Sequence, residues 1–255
     1  MTALIAALLG AIEGISEFLP ISSTGHLILA SSVLGVAQTD FQKSFEIIIQ
    51  LGAIAAVAVL YWRAFLNLDT LKKLIVAFIP TGVVGLLLYK IIKTYLLGNQ
   101  MVVLWALFLG GVVLIVFELL YKEKPTAAEN ISAISYKQSF LIGLFQSIAV
   151  VPGVSRSAAT IVGGLTVGLK RTTIVEFSFL LAVPTMLAAT LLDVYKNHSS
   201  FSSQDTLNLA IGFIVAFIVA LFAIKFLLRF VRTHTFIPFG IYRIVAALVF
   251  WFIIF

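Results

Sequence analysis

Glu13–His26 reads EGISEFLPISSTGH, and no other stretch departs so sharply from its surroundings. On both sides lie runs of apolar residues long enough to sit in lipid. Within it are two carboxylates, four hydroxyls, a histidine, a proline and two glycines. Ionisable groups at membrane depth are costly and mark function by default. A second stretch has the same character: Pro152–Thr160, PGVSRSAAT.

The background that makes these stretches stand out is compositional. Of 255 residues, 61% are apolar and 11% charged, and the mean hydropathy is +1.13. Soluble domains carry roughly 45–50% apolar and about 25% charged residues, so the chain is a polytopic membrane protein. The formal charge of +6 does not indicate nucleic acid, because the basic residues sit singly between apolar spans. With no cysteine there is no disulfide and no thiolate chemistry. The N-terminal MTALIAALLGAIEG lacks a basic leader region and a cleavage site, and is expected to be mature protein.

A transmembrane helix needs about 20 mostly apolar residues. Six stretches qualify, at roughly 45–62, 74–92, 101–121, 177–195, 208–228 and 236–255. Four more are apolar but short: 2–12, 25–36, 138–151 and 158–168. The short ones form two pairs, and each pair flanks a polar turn containing Pro and Gly. That pattern predicts two re-entrant helical hairpins, whose irregular backbone is tolerated only where it lines protein or a wet cavity.

The expected fold is therefore all-α and polytopic, one membrane domain over 1–255 built as an inverted-topology repeat. Repeat 1 covers 1–122, a charged linker 123–135, and repeat 2 covers 136–255. LLGAIEG (8–14) echoes LIGLFQS (141–147), Pro20/Ser23 pair with Pro152/Ser155, and IPTG (79–82) pairs with IPFG (237–240). Three full spans per half is an odd number, which inverts the second half. On one side lie Arg63, Lys72, Lys73, Lys122, Lys124, Lys137, Lys170, Arg171, Lys225, Arg229 and Arg232; on the other only Lys43, Lys90, Lys93 and Lys196. The positive-inside rule makes the first side cytoplasmic and turns both termini outward. The hairpins then enter from opposite sides, and their turns can meet inside the membrane.

Glu13 and Glu17, four residues apart, project from one helical face. In an apolar setting they repel unless a cation or proton lies between them, and a hard ion such as Mg²⁺ suits carboxylate and phosphate oxygens together. Two solvated glutamates at a helix end is the alternative. Ser22, Ser23 and Thr24 can cap the helix that follows Pro20, and the amides there, with Gly25, suit an anion. His26 could act as general acid or base near neutral pH. Arg156 is the arginine placed within a turn, and its fork matches phosphate oxygens. Ser155, Ser157 and Thr160 add hydroxyls beside it. Arg243 lies inside the last span and needs an anion or carbonyl partner. Glu46, Gln50 and Glu176 are either supports for the site or helix-pairing residues; Asp193, His198 and His234 read as interfacial. Together the two turns hold an inventory for phosphoryl transfer.

At these residues the chain resembles the bacterial undecaprenyl-diphosphate phosphatase family, also called bacitracin-resistance proteins, over nearly its whole length. The resemblance rests on the E-x-x-x-E segment (Glu13, Glu17) with PISSTGH, on Pro152–Thr160, and on FEIIIQLG (45–52), EFSFLLAVP (176–184) and FIPFGIYR (236–243). Ala158, where many members have glycine, is the one departure. The resemblance implies an inner-membrane hydrolase that converts undecaprenyl diphosphate to undecaprenyl phosphate, recycling the carrier lipid for peptidoglycan and cell-wall synthesis. It implies bacitracin resistance, a divalent metal (Mg²⁺ or Ca²⁺) on Glu13 and Glu17, and an active site facing the periplasm. Ser23, His26, Glu17, Glu13 and Arg156 would be catalytic. Ser22, Thr24, Gly25, Ser155, Arg156, Ser157, Thr160 and Arg243 would contact the diphosphate. The partners expected are the polyprenyl diphosphate and membrane lipid, with no nucleic acid; a homodimer is among the assemblies admitted. Ser23, activated by His26 or a glutamate, or else an activated water, would attack phosphorus. A polyprenyl-phosphate transporter on the same repeat is the main alternative. An intramembrane protease fits less well, having no use for paired glutamates and a buried arginine.

Overall fold

A computed structural model of the chain describes residues 1–37, 39–96, 99–123, 127–197 and 203–255. Lys124 and His198 lie outside the described residues, as do the side chains of Lys93, Asp193 and Lys196. The described chain is helical, with one isolated bridge between Ala128 and Leu169. In order the helices are α1 (Ala3–Ser16), α2 (Ser23–Val33), α3 (Asp40–Leu60), α4 (Trp62–Phe65), α5 (Leu68–Leu87), α6 (Tyr89–Ile91) and α7 (Gln100–Leu120). The second half follows with α8 (Tyr136–Ser147), α9 (Arg156–Thr166), α10 (Arg171–Asn197), α11 (Ser203–Phe230) and α12 (Ile237–Ile254).

Six of these, α3, α5, α7, α10, α11 and α12, are long and apolar enough to cross a membrane. Their outer faces carry large apolar side chains in the open, such as Leu87, Leu120 and Phe222, a pattern suited to lipid as the solvent. By contrast α1 has 14 residues and α8 has 12. At about 1.5 Å per residue neither reaches across roughly 30 Å of hydrocarbon. Each must turn back, and α2 and α9 are the returning limbs.

The halves pack alike. α1 lies along α11, and its counterpart α8 lies along α5. α3 packs on α10 and α7 on α12, each helix against its own counterpart. Both α1 and α8 make their contact through a glycine. A Cβ on Gly10 would stand 2.4 Å from the Gly212 carbonyl oxygen, and one on Gly143 would stand 2.1 Å from that of Ala77. Only a residue without a side chain lets the backbones come so close.

Two sequence echoes are corrected. Ser22 (φ 72°) and Ser155 (φ 77°) are the only non-glycine residues with positive φ among those described. Each is the N-cap of its returning helix, accepting from the amide three residues on. The matching serines are thus Ser22 and Ser155, not Ser23 and Ser155, and Pro20 matches Gly153 rather than Pro152. A proline can end a helix one residue earlier or later, whereas the left-handed cap fixes the register. The IPTG and IPFG segments are not equivalent either: Pro80 sits inside α5, while Pro238 opens α12.

The linker is held down. Lys73 Nζ donates to the carbonyls of Ile131 (3.4 Å) and Ser132 (2.8 Å). Glu129 pairs with Lys170, whose hydrogen bond and charge hold the Glu129 carboxyl below the usual carboxylate range. Nearby, buried Glu118 accepts from Arg171 and from the Phe236 amide, tying together α7, α10 and the start of α12.

Candidate active site

Where the two turns meet there is a polar cavity of about 70 Å³, room for several water-sized groups. Its walls are Glu17, Ser22, Ser23 and Thr24 from the first turn, Ala149, Val151, Pro152, Gly153, Ser155 and Arg156 from the second, and Met186 of α10. Glu17 is its hub. One carboxylate oxygen accepts the Ser23 hydroxyl; the other accepts Nη2 of Arg156 at 2.7 Å. Both side chains of that ion pair are buried. Arg156 Nη1 donates to the Ser178 carbonyl at 2.8 Å and lies 3.4 Å from its hydroxyl. Its Nε–H is buried without a protein partner.

Several residues expected to contact the ligand make other bonds here. The Ser157 hydroxyl crosses to the Phe18 carbonyl of the first turn (2.8 Å), and Thr160 Oγ1 bonds the Ser178 hydroxyl (2.6 Å). The Gly25 amide is taken by Ser22 Oγ at 3.4 Å. None of the three lines the cavity. They brace its walls.

Arg243 has the carbonyl partners that its place inside a span requires. It is fully buried, and all its nitrogens face carbonyls. Nε donates to Leu107 (3.3 Å), Nη1 to Pro20 (3.2 Å) and Val154 (2.9 Å), and Nη2 to Ala106 (3.0 Å) and Gly153 (2.9 Å). Five donors meet five acceptors, leaving none for a diphosphate. Pro20 and Gly153 are matching positions, so one arginine ties equivalent points of both turns to α7. Gly110 makes the space, since a Cβ there would lie 2.0 Å from Nη2.

His26 is also turned away from the cavity. Its Nδ1 lies 2.8 Å from the Ser22 carbonyl oxygen, and its Nε2 lies 2.9 Å from the Tyr242 hydroxyl. Glu46 accepts from Ser31 (2.9 Å) and Gln42 (2.8 Å), linking α2 to α3. Sequence reasoning gave Ser178 and Tyr242 no role. Both lie in blocks already singled out, EFSFLLAVP and FIPFGIYR, and a hydroxyl in an apolar span next to such motifs was the available signal.

Glu13, one turn behind Glu17, is fully buried, and neither carboxylate oxygen has a hydrogen-bond partner. An orphaned carboxylate next to a second one fits a hard cation. Among the described residues no cluster of three or more His, Cys, Asp or Glu exists, so the protein would supply two carboxylates. Mg²⁺ is commonly held that way, by one or two carboxylates with substrate phosphates completing the shell.

Beside the cavity runs an apolar groove of about 720 Å³, between α7 and the second hairpin. Met101, Trp105, Leu109, Phe145 and Ile148 line it, and Val151 belongs to both groove and cavity.

Two re-entrant turns meeting around a buried cavity with hydroxyls, a carboxylate and a fixed cation define a polytopic membrane protein with an intramembrane polar site. The chain belongs to the family described as bacitracin resistance protein BacA, whose model matches residues 6–249. It is 56% identical to an undecaprenyl-diphosphatase of Sulfurihydrogenibium sp., over 98% of this chain and 99% of that one. Relatives of the same name from Aquifex aeolicus (53%; 98% of each chain) and Wolinella succinogenes (50%; 97% of this chain, 96% of that one) are similar to it throughout.

Proposed function

We propose that this chain is an integral-membrane lipid-diphosphate phosphatase, hydrolysing undecaprenyl diphosphate to undecaprenyl phosphate and inorganic phosphate. The observation that carries this reading is the shared carboxylate: Glu17 holds both the Ser23 hydroxyl and Arg156. A nucleophile, an acceptor for its proton and a fixed cation thus surround one cavity. The name of the relatives, at about half identity over almost the full length, supports the substrate.

The terminal phosphoryl group occupies the cavity, where the unpartnered Nε–H of Arg156 and the hydroxyls of Ser22, Thr24 and Ser155 receive its oxygens. Ser23 Oγ attacks the terminal phosphorus and its proton passes to Glu17. The bond to the bridging oxygen breaks, and undecaprenyl phosphate departs with that oxygen. Glu17 gives up its proton as that product leaves. Water then attacks the phosphoserine, passing one proton to Glu17 as its oxygen bonds to phosphorus. Glu17 returns that proton to Ser23 Oγ as the Ser23–phosphorus bond breaks and phosphate leaves. Glu13, with Glu17, would hold Mg²⁺ or Ca²⁺, which when bound neutralises charge on the phosphoryl oxygens. The prenyl chain leaves past Val151 into the apolar groove.

The excess of Lys and Arg on one set of loops supports an inner-membrane orientation with the termini and cavity toward the periplasm. There the activity would recycle carrier lipid for cell-wall synthesis and deplete the diphosphate that bacitracin sequesters. Purified in detergent, the chain should release phosphate from undecaprenyl diphosphate, stop on chelation and recover with Mg²⁺. No release above that of Arg156→Ala would overturn the activity; unchanged turnover in chelator would overturn the metal.

A further inference from the structure

His26 is the ionisable side chain of the first turn that the proposed chemistry leaves unused. Its surroundings specify what it does instead. The Ser22 carbonyl can only accept, so Nδ1 carries the ring proton and donates it across 2.8 Å. Nε2 is then an acceptor and takes the Tyr242 O–H at 2.9 Å. The two rings stack at 5.5 Å, within 10° of parallel. The His26 backbone amide also donates to the Ser22 carbonyl, at 3.1 Å. This carbonyl belongs to the left-handed cap immediately before Ser23, a conformation that non-glycine residues keep only when their surroundings impose it.

The second turn provides the contrast. Its cap, Ser155, has the same backbone form, but Ala159 stands where His26 does, and among the described residues the Ser155 carbonyl has only the Ala159 amide (3.0 Å). In the proposed chemistry the second turn contributes a guanidinium held at the end of a long side chain by Glu17 and Ser178, whereas the first contributes a short hydroxyl whose aim depends on its backbone. Next to Tyr242 on α12, Arg243 bonds the Pro20 carbonyl, so adjacent residues of one helix hold the first turn at two points.

We infer that His26 and Tyr242 are positioning residues: Tyr242 fixes the His26 tautomer, and the Nδ1–H of His26 locks the Ser22 carbonyl so that Ser23 stays on Glu17. His26 is then not the group that removes the Ser23 proton. The inference rests on the phosphatase reading, and its test separates the two.

In the full-length detergent-purified protein, His26→Asn puts an amide N–H near Nδ1, while His26→Gln puts one near Nε2. Phosphate release by the wild type tests the phosphatase reading; the variants test this one. His26→Asn should keep kcat within about threefold, and His26→Ala and His26→Gln should lose roughly 10²-fold at similar KM, an order often ascribed to a general base. Tyr242→Phe should cost about fivefold in the wild type and nothing in the His26→Asn background, a non-additivity expected only if it acts through the ring. Asn as poor as Ala, or an equal Tyr242→Phe cost in both backgrounds, would overturn the inference. Independently of activity, ¹⁵N shifts should show His26 protonated at Nδ1; a proton on Nε2 would overturn it as well.

Discussion

The two turns share a backbone and differ in almost every side chain that matters. Aligned on their left-handed serines, Glu13 faces Gln146, Glu17 faces Val150, Ser23 faces Arg156 and His26 faces Ala159. The scaffold roles are duplicated: a serine cap, a short entering helix, and a close approach through glycine. The chemical roles are divided. The first turn carries both carboxylates and the hydroxyl held by Glu17, and the second carries the cation. Cross-turn bonds from Arg156 to Glu17 and from Ser157 to Phe18 then make one site from two unlike parts.

This comparison can be broken most severely at the matched pair Ser23 and Arg156. Ser23→Ala should lower kcat by roughly 10⁴-fold, on the scale of losing a covalent nucleophile, and abolish any phosphoserine trapped by acid quench. Retention of most turnover would mean that water attacks directly. Arg156→Ala should cost about 10³-fold, the scale of a lost preorganised donor. Arg156→Lys should recover only part of it, because the ammonium cannot both pair with Glu17 and reach Ser178.

Scaffold positions should respond equally in the two halves. Gly10→Ala and Gly143→Ala each press a methyl group against a backbone carbonyl, and each should cost about 1–3 kcal/mol, read as matched losses of thermal stability in detergent. Strongly unequal losses would show that the repeats are not mechanically equivalent. Gly110→Ala should be worse than either for activity, because Arg243 is pinned by five carbonyls and must give up some of them, releasing both turns.

The smallest effect belongs to the linker. The carboxyl of Glu129 is held below its ordinary value in the folded protein by Lys170. Its contribution is therefore present above the ordinary carboxylate pKa and is lost as pH falls through the lowered one. Glu129→Gln should leave thermal stability near pH 7 slightly reduced and that at pH values below the lowered carboxyl pKa unchanged, with phosphate release unaffected.

Much of the fold was legible because lipid leaves few choices. Six long apolar runs and two interrupted pairs admit little besides six spans and two hairpins, and the helices fall within a few residues of the expected stretches. Glu17, Ser22, Ser23, Thr24, Ser155 and Arg156 were legible as cavity residues because folding alone gives an apolar chain little reason to hold polar groups so densely. What the residues do to one another was not. A buried arginine needs an anion or carbonyls, and only the path of the chain shows that Arg243 found five carbonyls. Ser157 and Thr160 look like ligand hydroxyls in sequence, but Ser157 is turned to Phe18 in the other half of the chain and Thr160 to Ser178 on the next helix, contacts that only the packing shows. The pairing of Pro20/Ser23 with Pro152/Ser155 fell one residue off because prolines are conspicuous in a sequence, whereas a serine with positive φ is not; the LLGAIEG/LIGLFQS echo has the register of the two caps.

The central claim is that Glu17 and Arg156, from opposite turns, act as one unit on the same substrate. A double-mutant cycle of Glu17→Gln and Arg156→Gln on kcat/KM for undecaprenyl diphosphate tests it directly. The double variant should be no worse than about the worse single variant, because either change already dismantles the pair. Losses that multiply would contradict the account and make the two turns independent.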